Sequence, residues 1–325
     1  MVRGDEKRVS VIIPNLNGWH FLKPCLDSVF AQGFSEGELE VVVVDNGSTD
    51  GSVENLAREF PRVLVIHNAE NLGFAGAINQ GVEAASGEWI LLLNNDAVLT
   101  PGALRILVDG LKSGGERLAG VQPLLLRASD PQTVDSTGIA LSSRFRARDD
   151  LMGQPRTLAP RESVEIWGTC FACALIRRAV FDECGGLDED FFAEWDDVDF
   201  CLRARWNGWT FRLLPQSEVL HHRSPTTQRE PSAKRIRFRR NRLLTYAKAL
   251  PASSALLLTL YRLQRDLLMI VHYARNGELG DVCRSWGGYM KLLPRMLRRR
   301  GQVMRGRRLS ARDMRAQLRS FARGS

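Results

Sequence analysis

No stretch of the 325 residues is long and uncharged enough to cross a bilayer. The most lipid-like segment, Leu250 to Ala274, is interrupted by Arg262, Arg265 and Asp266, whereas a simple span needs about 20 nearly uncharged residues. The first eight residues, MVRGDEKR, are charged and carry no apolar core, so no signal peptide is expected. Cysteine is sparse: Cys25, Cys170, Cys173, Cys184, Cys201 and Cys283 make no disulfide framework for so long a chain, which points to a reducing cytosol. The one CxxC, Cys170 to Cys173, has no second pair and no His at zinc-finger spacing. It lies in the apolar FACALI and reads as buried thiols. Internal repeats and low-complexity tracts are missing, and 44% hydrophobic with 25% charged residues argues against wholesale disorder. The spacing of Gly73, Gly76 and Gly81 does not fit GxGxxG, which disfavours a nicotinamide Rossmann site. The basic C-terminal part has few aromatics at stacking intervals and no recognition motif, so no nucleic-acid partner is expected.

What the chain has in excess is positive charge, +8 overall with a pI near 9.5. The excess is concentrated from Arg229 onward, in runs such as Lys234-Arg235-Ile236-Arg237-Phe238-Arg239-Arg240 and Arg298-Arg299-Arg300. A basic tail suits anionic lipid or a phosphorylated substrate; its plainest alternative is a solvated helix face. Leu256, Leu257, Leu260, Leu263 and Leu267 form an apolar stripe with Arg262 and Arg265 nearby, the pattern of an amphipathic cationic helix on an anionic membrane surface. The chain is thus expected to be soluble or peripheral.

The first half alternates short β-branched runs with helical periodicity. Strands are expected at 9–13, 39–44, 63–67 and 89–93, and helices at 18–32, 52 onward and 74–85. That alternation means βαβ units and an α/β fold with a mostly parallel sheet, helices on both faces. In such sheets ligands lie beyond the carboxyl ends of the strands. Pro14-Asn15-Leu16-Asn17, Asp45-Asn46 and Asn94-Asn95-Asp96 all stand at such ends and should line one crevice. Ala128 to Pro160, polar with Pro, Gly and Arg, reads as a long excursion or partly mobile loop. Strand is expected again at 164–176, a short helix at 178–184, a helix at 196–206, and short strands at 210–214 and 218–220. Beyond Ser232 a cationic helical region is broken at Pro251, Gly277 and Gly287-Gly288.

A carboxylate ending an apolar strand, LLLNNDAV, is a poor core residue and a good metal or ribose ligand. The cluster Glu194-Trp195-Asp196-Asp197-Val198-Asp199 and the pair His221-His222 could complete a divalent-metal site with a general base. The competing reading is acidic residues favouring a helix N-terminus, worth only about 0.3–1 kcal/mol. Asp199, two residues past Asp197, points away on a helix and suits a structural contact.

These segments resemble a known family. VSVIIPNLNG, VVVVDNGSTDGS and NLGFAGAINQGVEAASGEWILLLNNDAVL are similar to the nucleotide-sugar half of a family 2 glycosyltransferase with the GT-A (Rossmann-like) fold. CFACALIRRAVFDECGGLDEDFFAEWDDVDFCLRARWNGW is similar to its acceptor half, and VLHHRSPT to its closing His loop. Within the family the chain most resembles the rhamnosyltransferase-like branch that builds bacterial cell-surface polysaccharides. The resemblance implies a GT-A domain over 1–248, with a nucleotide-sugar half at 8–127 and an acceptor half at 160–248. Residues 249–325 are left as a basic helical extension.

It also implies an inverting, metal-dependent transfer from a nucleoside-diphosphate sugar, TDP- or UDP-linked, to a hydroxyl of a polyprenyl-linked or glycan acceptor at the inner face of the cell membrane. Asp45 would accept the imide N–H of uracil or thymine, its alternative being an Asx-turn. Pro14, Asn15, Asn17, Asn46, Asn71, Gly73, Asn79, Asn94 and Asn95 would bind the nucleotide sugar, and Arg240 its diphosphate. Asn94 replaces the first Asp of the family's DxD motif, so Asp96 alone would bring a carboxylate to Mg²⁺ or Mn²⁺. The second ligand is His221 or His222, the match favouring His221. Asp197 would be the base and Asp196 would orient the acceptor, with Trp167, Gly168, Glu194 and Trp195 on the acceptor side. The Asn94 departure leaves a second reading, a nucleotide-sugar-binding or scaffold protein without turnover. A homodimer is one assembly the sequence leaves open.

Overall fold

A computed structural model describes residues 9–142, 145–223 and 231–322. The charged leader and the end of the VLHHRSPT segment, from Ser224, lie outside the described residues.

The expected βαβ units are there. β1 (Val9–Asn15), β2 (Leu39–Asp45), β3 (Leu64–His67) and β4 (Trp89–Leu93) run parallel in the order β3-β2-β1-β4. The crossover helices are α1 (Trp19–Phe30), α2 (Ser52–Glu59) and α3 (Gly73–Ala84). Period-2 alternation divides the core between the two faces. Val9, Val11 and Ile13 of β1 pack with Leu22, Leu26 and Val29 of α1, while Ile12 packs with Ala75 and Ile78 of α3. The registers Asn15↔Asp45 and Asp45↔His67 bring three strand ends level, so their polar residues meet at one edge.

The second half extends the same sheet. β5 (Ala97–Leu99) and α4 (Ala103–Ser113) lead into β6 (Leu118–Arg127), followed by β7 (Asp130–Ser136), β8 (Ile139–Leu141), β9 (Ala147–Asp149), β10 (Val164–Ile166) and β11 (Cys173–Arg177). α5 (Arg178–Cys184), α6 (Asp196–Trp206) and β12 (Thr210–His221) complete it. The strand order is β10-β12-β6-β11-β4-β1-β2-β3, with β5 on β12 and β7 on β6. β12 runs parallel to β6, and β11 is antiparallel to β4 and β6. The pairing His221↔Ala97 sets His221 beside Asp96, across 125 residues of chain.

Four local expectations are corrected. Residues 128–160 are not one loop: β7 pairs with β6, and β8 pairs with β9. The polar composition misled because these short strands lie near the site and carry its charged residues. The expected strand at 164–176 is two strands, β10 and β11, joined by a segment on which Trp167 is buried. The strands expected at 210–214 and 218–220 are one, with an irregularity in register between Leu214 and Glu218. Gly287-Gly288 does not break a helix but lies inside α10 (Leu279–Arg305). A Cβ at Gly288 would meet Arg240 Cδ at 2.9 Å, so glycine serves close helix packing there.

The cationic region forms α7 (Pro231–Ala249), α8 (Ala252–Leu268), α9 (Ile270–Arg275), α10 and α11 (Ala311–Ala322). α10 packs along α7. No helix among the described residues is long and apolar enough to cross a membrane.

Candidate active site

The aligned strand ends, the start of α6 and the first turns of α7 enclose a cavity of about 780 Å³. It is lined by Pro14, Asn15, Asn17, Asn46, Asn71, Gly73, Asn94, Asn95, Asp96, Glu194, Trp195, Asp196, Asp197 and His221. The three side chains central to the sequence argument, Asp96, Asp197 and His221, therefore share one space.

Asp96 follows β4 in a tight turn, where Ala97 N–H donates to the Asn94 carbonyl at 3.1 Å. Its Oδ1 lies 3.2 Å from His221 Nε2. On the other side His221 Nδ1 lies 2.7 Å from Asp135 Oδ2. Burial opposes charging His221, but the two carboxylates outweigh it and hold its pKa up at about 9. His222 is exposed, its ring centroid 5.3 Å from that of Phe21, and its N–H donates to the Asp96 carbonyl. Of the two histidines, His221 is the one that faces Asp96 and lines the cavity.

Asp96 and His221 would offer a divalent cation two protein donors, and no group of three or more His, Cys, Asp or Glu that could hold a metal ion gathers among the described residues. Asp135 fixes the imidazole through Nδ1 and leaves Nε2 facing Asp96, the outer-sphere arrangement usual for histidine ligands. One carboxylate and one imidazole suit a hard or borderline ion that takes its remaining ligands from diphosphate and water. A cation held there would compete with protons for Nε2, since a histidine ligand must be neutral.

The acidic cluster starts α6 after a tense approach. Phe192, Glu194 and Trp195 have φ of 67°, 73° and 74°, a region L-residues rarely occupy. Asn241 of α7 holds this bend: its Nδ2 faces the carbonyls of Phe191, Ala193 and Glu194 at 3.1, 2.9 and 2.7 Å. Asp196 is buried, with Oδ1 lacking a hydrogen-bond partner among the described residues. Burial, then the Asp197 charge, pushes its carboxyl well above the usual range. Asp197 opens onto the cavity and is pushed up to about 7, by burial first and then by the Asp149 charge. Asp199 points away as expected and binds Arg203, Lys248 and Thr245.

Several expected site residues stand elsewhere. Asp45 is fully buried and does not line the cavity: it accepts from Asn15 Nδ2 and from the Ser48 N–H and Oγ, and lies 3.1 Å from His67 Nδ1. Four partners occupy the lone pairs a nucleobase would need, so the turn-holding alternative describes its present role. Asn79 ties α3 to Leu187 and Glu189. Trp167 is buried away from the cavity, and Gly168 faces Cys201. Arg240 is spent on the carbonyls of Asp190 and Phe191 at 2.9 and 3.0 Å. Gly73 lines the cavity, but its φ of 77° and the Phe192 carbonyl, 2.3 Å from where a Cβ would sit, explain the glycine without a ligand. Cys173 is buried and Cys170 half-buried on the cavity wall.

Residues not anticipated include Asp135, Arg148, Asp149 and Arg223. Arg148 and Asp149 line the cavity from β9. Arg223 bridges Asp135 and Asp149. The alternation around Asp135 in TVDS was the available signal, hidden by the polar surroundings. Lys234, Arg237 and Phe238 of α7 also line the cavity; their run read only as undirected charge.

Residues 10–185 match the pattern of "Glycosyl transferase family 2". The "N-acetylglucosaminyl-diphospho-decaprenol L-rhamnosyltransferase" of Mycobacterium tuberculosis is 28% identical over 228 residues, covering 61% of this chain and 71% of that protein. The fold is similar to mannosyltransferase PcManGT from Pyrobaculum calidifontis, solved with GDP-Man and Mn²⁺, at TM-score 0.52 and 20% identity, covering 92% of this chain and 85% of that one. It is also similar to S. aureus TarS, at TM-score 0.55 and 18% identity, covering 98% and 92%. The chain belongs to glycosyl transferase family 2: it is a glycosyltransferase with the GT-A fold, similar to the rhamnosyltransferase-like branch.

Proposed function

We propose that this enzyme moves a sugar, rhamnose by the mycobacterial likeness, from a nucleoside-diphosphate donor to a hydroxyl of a lipid-linked acceptor, inverting the anomeric centre. The observation that carries this reading is the meeting of Asp96, Asp197 and His221 in one cavity. Asp197 accepts the proton of the attacking hydroxyl. Asp196 keeps its own proton and donates a hydrogen bond to the acceptor, a division of labour that follows from two adjacent buried carboxyls. Asp96 and His221 would hold Mg²⁺ or Mn²⁺, which when bound neutralises charge on the diphosphate leaving group. Asn15, Asn17, Asn46, Asn94 and Asn95 form the polar wall for the nucleotide sugar. The binding-only alternative gives no use to an acidic pair that opens onto the same cavity as Asp96 and His221.

A thermal-shift panel of nucleoside-diphosphate sugars, with and without Mn²⁺, tests the donor assignment. A true donor at 100 times its Kd stabilises the native state by about 2.7 kcal/mol, and that gain should shrink when Mn²⁺ is removed. No shift with any TDP-, UDP- or GDP-linked sugar would sink the reading.

The acceptor class is consistent with how α8 is built. Leu256, Leu257, Leu260, Leu267 and Leu268 are each more than half exposed. Arg262 and Asp266 are instead buried and paired at 3.0 Å. This corrects the expected cationic helix: Arg262 is not a surface partner of the leucine row, and the charged side of α8 faces inward. Residues 252–322 still hold fifteen Arg and Lys against four Asp and Glu. Such an exposed apolar row on a cationic extension suits an anionic bilayer at the inner face of the membrane. The chain should co-sediment with anionic vesicles at low salt, and Leu257→Asp with Leu268→Asp should weaken this roughly tenfold or more, each leucine contributing about 1.5–3 kcal/mol when buried. Equal sedimentation of the double variant would exclude α8 as the contact.

A further inference from the structure

We propose that Lys234 and Arg237 on the first turns of α7 bind the diphosphate of an acceptor sugar carried on a polyprenyl diphosphate, at a seat separate from the donor's. The proposal rests on the reading above for the acceptor's class, and on α7 for the seat.

Positions 234, 237 and 238 lie three and four residues apart and so share one helix face. All three line the cavity, next to Phe192 and Trp195. Other cations of α7 are committed or lie off the cavity: Arg242, whose buried Nε also lacks a hydrogen-bond partner among the described residues, does not line it. Arg235 binds Asp281, Arg239 binds Asp266, Arg240 binds loop carbonyls, and Lys248 binds Asp188 and Asp199. The two cavity cations differ. Lys234 is 45% exposed and reaches Glu194 only at 3.6 Å. Arg237 lies over the Phe192 ring at 5.3 Å, and its buried Nε lacks a hydrogen-bond partner among the described residues. A buried guanidinium N–H left unmet is costly, and the planar fork is suited to phosphate oxygens.

The position favours the acceptor over the donor. Lys234 touches Glu194, two residues before Asp196 and three before Asp197, so it sits beside the carboxyls that must meet the acceptor hydroxyl. The proposed donor groups, Asp96 and His221, come instead from the β4 and β12 ends. The lipid side is also provided for. Arg239, two residues beyond Arg237, bonds Asp266 of α8. The exposed Leu267, Leu268, Ile270 and Val271 follow directly in the chain. A ligand with an anionic head and a long apolar tail can therefore place the head on Lys234 and Arg237 and run the tail toward the α8–α9 leucine row.

The test is calorimetric titration of farnesyl diphosphate into full-length protein saturated with Mn²⁺ and thymidine or uridine diphosphate, whichever binds, so that the donor's seat is filled. Saturable binding is expected, and farnesol should bind at least tenfold more weakly. Lys234→Ala with Arg237→Gln should weaken farnesyl diphosphate about tenfold or more, as expected for losing charge-assisted contacts, while nucleotide affinity holds. Unchanged affinity in the double variant overturns the proposal. So does a parallel loss of nucleotide binding, which would assign these cations to the donor. If neither nucleotide binds the wild type, the donor reading fails, and the farnesyl diphosphate comparison still decides the seat.

Discussion

With Asp197 replaced by Asn, sugar transfer falls by roughly 10²–10⁴-fold, nucleotide affinity holds, and the protein melts at a higher temperature at pH 8. The opposite signs on activity and stability come from one cause. The Asp197 carboxyl titrates near 7 when folded, against a usual 3.8. Between those values the folded state keeps a proton that the unfolded chain has released. Stability therefore declines as pH rises from about 4 to about 7, and the loss is complete above 7. Asn fills the same space without this penalty. Allowing for solvent that enters through the cavity, the gain at pH 8 should be about 1–3 kcal/mol, and it should vanish by pH 4. A merely structural Asp197 would predict the reverse, a variant less stable at every pH.

The same group sets the acid limb of the rate. Transfer requires ionised Asp197, so kcat/KM should fall below an apparent pKa near 7. After burial, the neighbouring Asp149 charge is the largest cause of the elevation. Neutralising it in Asp149→Asn removes repulsion against the ionised base and should move the limb to lower pH. A limb at ordinary carboxylate pH in the wild type would remove Asp197 from the base role.

The sequence made the first half of the fold legible because its signals are local there. β4 falls where the apolar run put it, and β1 and β2 fall within two residues; in the second half α5 also falls where it was expected. That Asp96, Asp197 and His221 would line one cavity was also legible, since each stands at a strand or helix end, where polar residues have few reasons to be. What was not legible depends on partners far along the chain. Whether Asp45 faces a base or a turn is decided by Asn15, Ser48 and His67. Whether Arg240 meets phosphate or backbone is decided by a bend fifty residues earlier. The β7–β9 region was missed because short strands carrying site charges lose the hydrophobic alternation that would reveal them. Leucines at helical spacing around Arg262 looked like a lipid-facing stripe with cationic flanks, yet Asp266 and α7 draw that arginine inward.

Asn241→Ala should reduce kcat by about 10²-fold, out of proportion to its effect on nucleotide affinity, and destabilise the fold by roughly 2–4 kcal/mol. Asn241 is fully buried, and one amide nitrogen serves three carbonyls, those of Phe191, Ala193 and Glu194. Its Oδ1 accepts from Arg240 Nε at 2.9 Å, which aims the amide and directs Arg240 to Asp190 and Phe191. The bend so held contains three non-glycine residues at positive φ, each costing about 1 kcal/mol or more. The bend is also where Asp196 and Asp197 obtain their direction. From the far side, α10 grips the preceding turn through Arg295 to Asp190 and Arg299 to Asp188. Removing the amide leaves buried carbonyls unmet and lets the strained residues relax toward ordinary φ, turning the base from the acceptor hydroxyl. The donor wall at Asn15, Asn94 and Asn95 lies on other elements and should bind nucleotide with little change. Amide exchange should rise across 191–196 and stay slow in the body of α6. If the variant keeps both its rate and its protected loop, α6 itself positions the carboxyls and the α7 contact is incidental; if nucleotide affinity falls as far as kcat, the loop shapes the donor side as well.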